Sequence, residues 1–216
     1  TELGNPLPFQ LLIREGWQVR VFADDLQEAR DLVFSPNQTL LVSILAAGHI
    51  IALPDKNQDG VADDRRIVLS NLNNPHGLAF HQGQLFVAEE TQVTRYNWDK
   101  ETLMATLDTV ILTDLPRGGR HDTRSLTFDT QGNLYLSLGS TCDTCFEQHP
   151  WLAAVIQTDR EGRTPTVFSS GLRNAVFLTN KPGTDEIWVT EMGRDFLGPE
   201  TPPDEINLLE SGGDYG

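Results

Sequence analysis

One segment pattern recurs four times along the chain and sets what it can fold into. Asp31-Leu-Val-Phe-Ser-Pro-Asn-Gln-Thr-Leu-Leu-Val-Ser43 is echoed by His76-Gly-Leu-Ala-Phe-His-Gln-Gly-Gln-Leu-Phe-Val-Ala88 and by Arg124-Ser-Leu-Thr-Phe-Asp-Thr-Gln-Gly-Asn-Leu-Tyr-Leu-Ser137. A looser copy runs from Asn174 through Phe177-Leu178 to Ile187-Trp188-Val189-Thr190. Each copy reads as an apolar strand, a polar turn and a second apolar strand. The equivalent positions Phe34, Phe80, Phe128 and Leu178 are separated by 46, 48 and 50 residues. Several short strands repeating every 40–50 residues or so is the signature of propeller blades. Unrelated hairpins in a β-sandwich would not keep the same order four times. The expected fold is therefore all-β, a β-propeller with about four blades' worth of chain in one domain over residues 1–216. Helical periodicity is weak throughout, and only Gln27–Asp31 suggests a short helical turn.

A propeller closes on itself to hide its strand edges, and each blade buries its faces on its neighbours. The fourth repeat is followed almost at once by Gly212-Gly-Asp-Tyr-Gly216. The sequence thus reads as cut within a domain, with further blades to be expected beyond it or from a partner.

Charge narrows the function. Sixteen Lys and Arg stand against 31 Asp and Glu, a formal net charge of −15. Phosphate backbones need clustered cations, so nucleic acid is a poor partner. Anionic lipid is disfavoured for the same reason, and no apolar run is long enough to span a membrane. Carboxylates do suit hard cations.

The strongest cation motif is Asp55-Lys-Asn57-Gln-Asp59-Gly60-Val61-Ala-Asp63-Asp64. It sets side-chain oxygens at loop positions 1, 3, 5 and 9, Gly at 6 and the Val61 carbonyl at 7, the ligand spacing of a calcium loop. Position 12 is Arg66 rather than a bidentate Glu, and the flanks read as strands. The expectation is an EF-hand-like calcium loop between strands, with Asp63 or Asp64 completing the ligand shell and a structural role.

Cys142 and Cys145 form a C-x-x-C. A zinc site lacks two further ligands, and a thioredoxin-type pair would open a helix in a βαβ unit. Here the pair follows a β run and enters a polar loop. A loop-closing disulfide in an oxidising compartment is the favoured reading, with two reduced thiols as the alternative.

Four further segments carry unusual polar residues at strand ends, where binding groups gather. They are Pro75-His76-Gly77, Gly118-Gly-Arg120-His121-Asp122-Thr-Arg124, Ser170-Gly-Leu-Arg173-Asn174, and Glu191-Met-Gly193-Arg194 with Pro203-Asp204-Glu205-Ile206-Asn207. His121 is a candidate general base, and Arg173 can hold a carboxylate with two bonds. Each residue alone is equally consistent with a structural histidine, a surface ion pair or a solvated turn.

Taken in order, the segments resemble a known family. G-G-x-H-x-x-R-x-L-x-F from Gly118, G-L-R-N from Gly171, E-x-G-R-D from Glu191, P-x-D-E-I-N and G-G-x-Y-G resemble the soluble quinoprotein glucose dehydrogenases, closest to their sorbosone-dehydrogenase branch. The calcium loop and the C-x-x-C are similar to that branch, and the resemblance runs from about Leu7 to Gly216. It implies a six-bladed propeller holding pyrroloquinoline quinone (PQQ) and calcium and oxidising sugars or related alcohols, with an external electron acceptor, in the periplasm or outside the cell. It implies that His121 removes the substrate's hydroxyl proton and that Arg173 stabilises charge on the reduced quinone. It places Asn174 beside cofactor and calcium, His76 facing the cofactor pocket, the backbone of Gly193 and Arg194 on the cofactor's calcium, and Glu205 near a calcium. Two departures stand out. Ser140 occupies the place of the acid that orients the histidine, with Asp122 or Asp143 as substitutes, and the family's cofactor-gripping Lys and Arg belong to later blades. A calcium-dependent propeller lactonase using Glu191, Asn174 and Asp204, and a non-enzymatic calcium-binding propeller, are the alternatives.

Overall fold

A computed structural model of the chain describes residues 11–117, 119–194, 197–198 and 203–216. Gly118 and Asp195 of the motifs above lie outside the described residues. All regular structure among those residues is β, arranged as four sheets. The first sheet holds β1 (Ala29–Phe34), β2 (Leu40–Ile44), β3 (His49–Leu53) and β4 (Arg66–Leu69). The second holds β5 (Leu78–His81), β6 (Gln84–Ala88), β7 (Val93–Asp99) and β8 (Met104–Leu112). The third holds β9 (Leu126–Phe128), β10 (Asn133–Leu138), β11 (Ala154–Asp159) and β12 (Thr166–Ser170). The fourth holds β13 (Ala175–Asn180), β14 (Ile187–Glu191) and β15 (Glu205–Leu208). Within each set neighbouring strands pair antiparallel, in sequence order, which is the propeller-blade meander. Among the described residues no helix is long and apolar enough to cross a membrane.

The repeat maps onto the blades. Phe34, Phe80, Phe128 and Leu178 all lie on first strands, and β1, β5, β9 and β13 adjoin in that order. Polar groups tie these strands across the gaps. Asp31 Oδ2 accepts the Leu78 N–H at 2.8 Å, the Gly77 N–H donates to Arg124 O at 2.8 Å, and the Leu178 N–H donates to Ser125 Oγ at 3.0 Å.

Middle strands are buried on both faces by the blades on either side. That is why β6 and β10 read as mostly apolar runs rather than alternating apolar and polar residues. Leu85, Phe86 and Val87 have no exposed surface, nor have Leu134, Leu136 and Leu138. The cores therefore sit between blades. Leu41, Ile50 and Ala52 of the first blade pack on Leu78, Leu85 and Val87 of the second. Phe86 and Ala88 meet Leu126, Leu134 and Leu136 of the third. Tyr135 and Val155 meet Ala175, Leu178 and Val189 of the fourth. The alternate residues of the first blade, Val42, Ile44, Ile51 and Leu53, are covered by Phe22, Ala23 and Leu26.

Two details depart from simple expectation. The helical turn at Gln27–Asp31 does not form, because Glu28 sits at φ 55° and β1 begins at Ala29. The chain also does not stay in the fourth blade. After β15 it crosses back, and β16 (Gly213–Asp214) pairs in parallel with β12 at the outer edge of the third. A Cβ on Gly171 would lie 2.3 Å from Asp214 Oδ1 and from Gly216 N, so only glycine lets this strap approach.

Candidate active site

Antiparallel meanders sort the loops by end. The β10–β11 and β14–β15 turns share one end of the propeller with the connections from each blade to the next, which carry His76, His121 and Arg173. Backbone bonds knit this rim: Ser140 N–H donates to Arg173 O at 2.7 Å, Arg120 N–H to Thr141 O at 3.0 Å, and Met192 N–H to Asn174 O at 3.1 Å. The β3–β4 loop with the calcium motif opens at the opposite end.

His121 is half-buried on the rim. Its Nδ1 is 3.1 Å from Ser140 O and 2.9 Å from Ser140 Oγ. A carbonyl only accepts, so Nδ1 carries the hydrogen and the lone pair of the neutral ring lies on Nε2. The Ser140 hydroxyl donates to Cys142 O at 2.6 Å and receives the imidazole hydrogen on its oxygen. Gly139 makes the approach possible, since a Cβ there would lie 2.4 Å from His121 Cβ and 3.4 Å from Asn174 Oδ1.

Arg173, with 12% of its side chain exposed, makes four hydrogen bonds to Asp143, Met192 and Gly193. Nε donates to Asp143 O at 3.0 Å and Nη2 to Asp143 Oδ1 at 2.7 Å, while Nη1 donates to Met192 O at 2.9 Å and Gly193 O at 2.8 Å. Arg194 Nε approaches Asp143 Oδ2 at 3.4 Å and Arg120 Nη1 approaches Oδ1 at 4.0 Å. Three guanidinium groups therefore surround one carboxylate in a strongly acidic chain. Cys142 and Cys145 are joined as a disulfide, closing the loop that carries Asp143.

Beside this cluster an open cleft of about 450 Å³ is bordered by Phe177, Glu191, Met192, Asp204, Glu205 and Ile206. Glu191 is 9% exposed; Oε1 accepts the Asn174 N–H at 2.9 Å and Oε2 has no hydrogen-bond partner among the described residues. Burial pushes its carboxyl up from 4.5 to about 7. Glu205 faces it across β14–β15, and Asp204 Oδ1 accepts the Gly193 N–H at 3.0 Å.

His76 is set apart from this rim cluster. It is 1% exposed, its Nδ1 lies 3.1 Å from Arg124 O, and its ring centroid is 5.2 Å from that of Phe177. Burial lowers its pKa from 6.5 to about 4. Arg124, two residues before β9, is also buried, at 1% exposure. It donates to the carbonyls of Pro116, His121 and Thr123 at 2.8, 3.0 and 3.2 Å, which shapes the loop presenting His121.

The β3–β4 loop has its own internal order. Asp55 accepts the N–H groups of Asp59 (3.2 Å) and Gly60 (3.0 Å), and Asn57 Oδ1 that of Asp59 (3.0 Å). Asp59 Oδ1 accepts that of Val61 (2.9 Å), and Asp63 Oδ2 closes the ring on the Lys56 N–H (2.5 Å). Gly60 takes φ 83° at the sharp bend. Asp64 turns away to Arg66 Nε at 2.8 Å, which holds its carboxyl below the usual range. Of the two candidates for the last ligand, Asp63 is the one folded into the loop.

Ser140, which stands where the resemblance implies an acid, is the residue that contacts His121; Asp143, weighed as a substitute there, anchors Arg173, and sequence reasoning passed over Arg124 as the support of the His121 loop. The strand-end Gly139-Ser140 pair was the available signal for the first.

The TrAA12-like family model matches residues 11–202. An uncharacterized protein of Borreliella burgdorferi is 23% identical over 162 residues, covering 69% of this chain and 42% of that one. Among solved structures, the holo form of the pyranose dehydrogenase PQQ domain from Coprinopsis cinerea superposes with a TM-score of 0.83 at 18% identity, over 96% of this chain and 57% of that one. The Trichoderma reesei carbohydrate-active enzyme of family AA12 gives 0.81 at 22% identity in an iodide structure, over 95% and 59%. It gives 0.78 at 21% in a calcium structure, over 93% and 56%. This chain spans less than two thirds of the length of each, and at these identities the structures share its fold. With most of its length matched by one family model, the chain belongs to the TrAA12-like family.

Proposed function

We propose that this chain is the part of a quinoprotein dehydrogenase that carries the proton-accepting histidine, acting on a sugar or related alcohol or aldehyde. The observation that carries the reading is the 3.1 Å contact between His121 Nδ1 and the Ser140 carbonyl, from which the tautomer follows. With Nδ1–H on the Ser140 carbonyl, Nε2 is the nitrogen that takes a hydroxyl proton. Family membership, the holo form of the pyranose dehydrogenase PQQ domain and the calcium structure of the family AA12 enzyme support it.

The residues fit both groups. PQQ is a planar polycarboxylate, and Arg120, Arg173 and Arg194 gathered on Asp143 are a donor set for carboxylates and for charge on a quinone oxygen. Bound there, the quinone supplies the two-electron acceptor. Asn174 lies against the same glycine as His121, which keeps it available as a neighbour of both groups. Calcium suits oxygen ligands. The unpartnered, buried Glu191 Oε2, with Glu205 across the strand pair, is such a set at the rim, and the β3–β4 loop is a second, structural one. The Gly193 carbonyl already receives an Arg173 N–H, so a calcium ligated there requires that bond to be shared or released. An external acceptor would take the electrons onward, and the disulfide supports a periplasmic or extracellular site of action.

The test is dye-linked oxidation of aldoses and sorbosone-type substrates by the full-length protein, with PQQ and calcium added together and separately. Turnover only with both is expected, and none under any of these conditions overturns the reading. The buried Glu191 carboxylate, whose Oε2 has no partner among the described residues, lies beside Asp204 and Glu205 and also favours a second reading, a calcium-dependent lactonase. Lactone hydrolysis without quinone would establish it instead.

A further inference from the structure

We propose that Asp143, fixed by the Cys142–Cys145 disulfide, is a positioning residue that sets Arg173 and, through the same loop, His121. What those two residues do rests on the dehydrogenase reading; how they are held rests on the geometry alone.

The segment from Ser140 to Glu147 has no regular structure, and Phe146 at its tip is 97% exposed. Such a segment keeps one shape only where it is tied. Its root is tied to both candidate residues: Ser140 N–H donates to Arg173 O, and Ser140 O and Oγ receive Nδ1 of His121. Thr141 is tied to the His121 loop through Arg120 N–H, and the Glu147 carboxylate accepts the Thr141 N–H at 2.7 Å.

The grip on Arg173 needs more than a carboxylate within reach. Nε bonds the main-chain carbonyl of Asp143 and Nη2 its side chain, so both backbone and side chain must be in register with one rigid fork. Arg194 and Arg120 compete for the same carboxylate, with 44% and 47% of their side chains exposed. A loop free to move would let Asp143 follow these cations away from Arg173. The disulfide prevents this by closing a ring whose only interior residues are Asp143 and Thr144. Closing so short a loop adds less to global stability than a long-range bridge would. Its consequence is local: it restricts the backbone at Asp143. The Cys142, Cys145 and Glu147 ligand atoms lie close enough to hold a metal, but the two sulfurs are bonded to each other, so the cluster is a covalent clasp.

The experiment compares the wild-type protein, its reduced form and the C142A/C145A variant by NMR without quinone. Reduction uses a dithiol. Its thiolate attacks one sulfur, the S–S bond breaks, the reductant closes its own disulfide, and Cys142 and Cys145 each gain one electron and one proton. In both perturbed forms we expect hydrogen exchange at Arg173 Nε–H to accelerate about tenfold or more and the His121 ring signals to move, while amides of the first blade stay unchanged. Reoxidation should restore the wild-type spectrum, which separates the effect from unfolding. Unaltered Arg173 and His121 signals after reduction overturn the proposal, whatever activity is found. Conversely, a wild-type protein with no quinone-dependent turnover overturns the dehydrogenase reading without touching this measurement. In an active protein, reduction should lower kcat by roughly ten- to a hundredfold, with the sugar KM changed far less.

Discussion

Ser140 Oγ lies 2.9 Å from Nδ1 of His121 and passes its own hydrogen to the Cys142 carbonyl. The serine thus orients the imidazole as an acceptor, without the negative charge that a carboxylate would place there. Orientation is retained, while the extra basicity a carboxylate would lend to Nε2 is not.

Ser140→Ala should therefore be a mild change. The Ser140 carbonyl still receives Nδ1–H, so the losses are the two neutral hydrogen bonds of the hydroxyl, to His121 and to the Cys142 carbonyl, each about 0.5–1.5 kcal/mol. Steady-state kinetics on the full-length protein should show kcat lowered roughly two- to tenfold with the KM unchanged. A loss of several orders of magnitude would mean that the hydroxyl does more than orient.

Arg124→Met should act on stability as well as on the site. It strips the donor from the carbonyls of Pro116, His121 and Thr123 in a buried place. We expect a loss of about 3 kcal/mol and a melting temperature lower by roughly 6–12 °C. Arg124→Lys should recover less than half of this, because an ammonium cannot span three carbonyls as the guanidinium fork does. Full recovery by Lys in thermal melts would refute the geometric account.

Asp31 and His76 should pull the pH dependence of stability in opposite directions. Burial raises Asp31 from its ordinary 3.8 to about 6, so its contribution is complete below pH 3.8 and lost as pH rises through 6. Burial lowers His76 from 6.5 to about 4, so its contribution is present above pH 6.5 and lost as pH falls through 4. Each is worth at most about 3 kcal/mol, and nearer 1–2 after solvent screening. Urea unfolding of Asp31→Asn should thus show stability rising more steeply from pH 4 to 6.5 than in the wild type. Parallel profiles would show that the carboxyl ionises normally.

Calcium should stabilise the protein through the β3–β4 loop independently of quinone. At a hundredfold excess over its dissociation constant the gain is about 2.7 kcal/mol, a rise in melting temperature of roughly 5–10 °C. Asp55→Ala and Asp59→Ala should abolish the rise, and Asp64→Ala should keep it because Asp64 is paired with Arg66. An equal rise in the Asp55 and Asp59 variants would place the ion elsewhere.

The blades were legible because their signal is local. Phe34, Phe80 and Phe128 recur with a turn and an apolar run behind each, and the middle strands are apolar on both faces, so no partner need be known to recognise them. The internal order of the β3–β4 loop was legible for the same reason, its Asp and Asn side chains falling within ten residues. The site's supports were not. Asp143 reaches Arg173 across 30 residues and Gly139 cradles a histidine from another loop. Nothing local distinguishes them from an acidic turn or an ordinary glycine. The burial of His76 was hidden likewise, because the neighbours that enclose it, Arg124 and Phe177, belong to the third and fourth blades.

The strap formed by β16 imposes an order of events on the nascent chain. The outer edge of the third blade is finished by Gly213 and Asp214, residues that emerge only after all three strands of the fourth. At about 5–20 residues per second of synthesis, β12 waits roughly two to nine seconds for that partner. During that interval its edge is open to the wrong strands, and the blade acquires its final border only when its successor is already made.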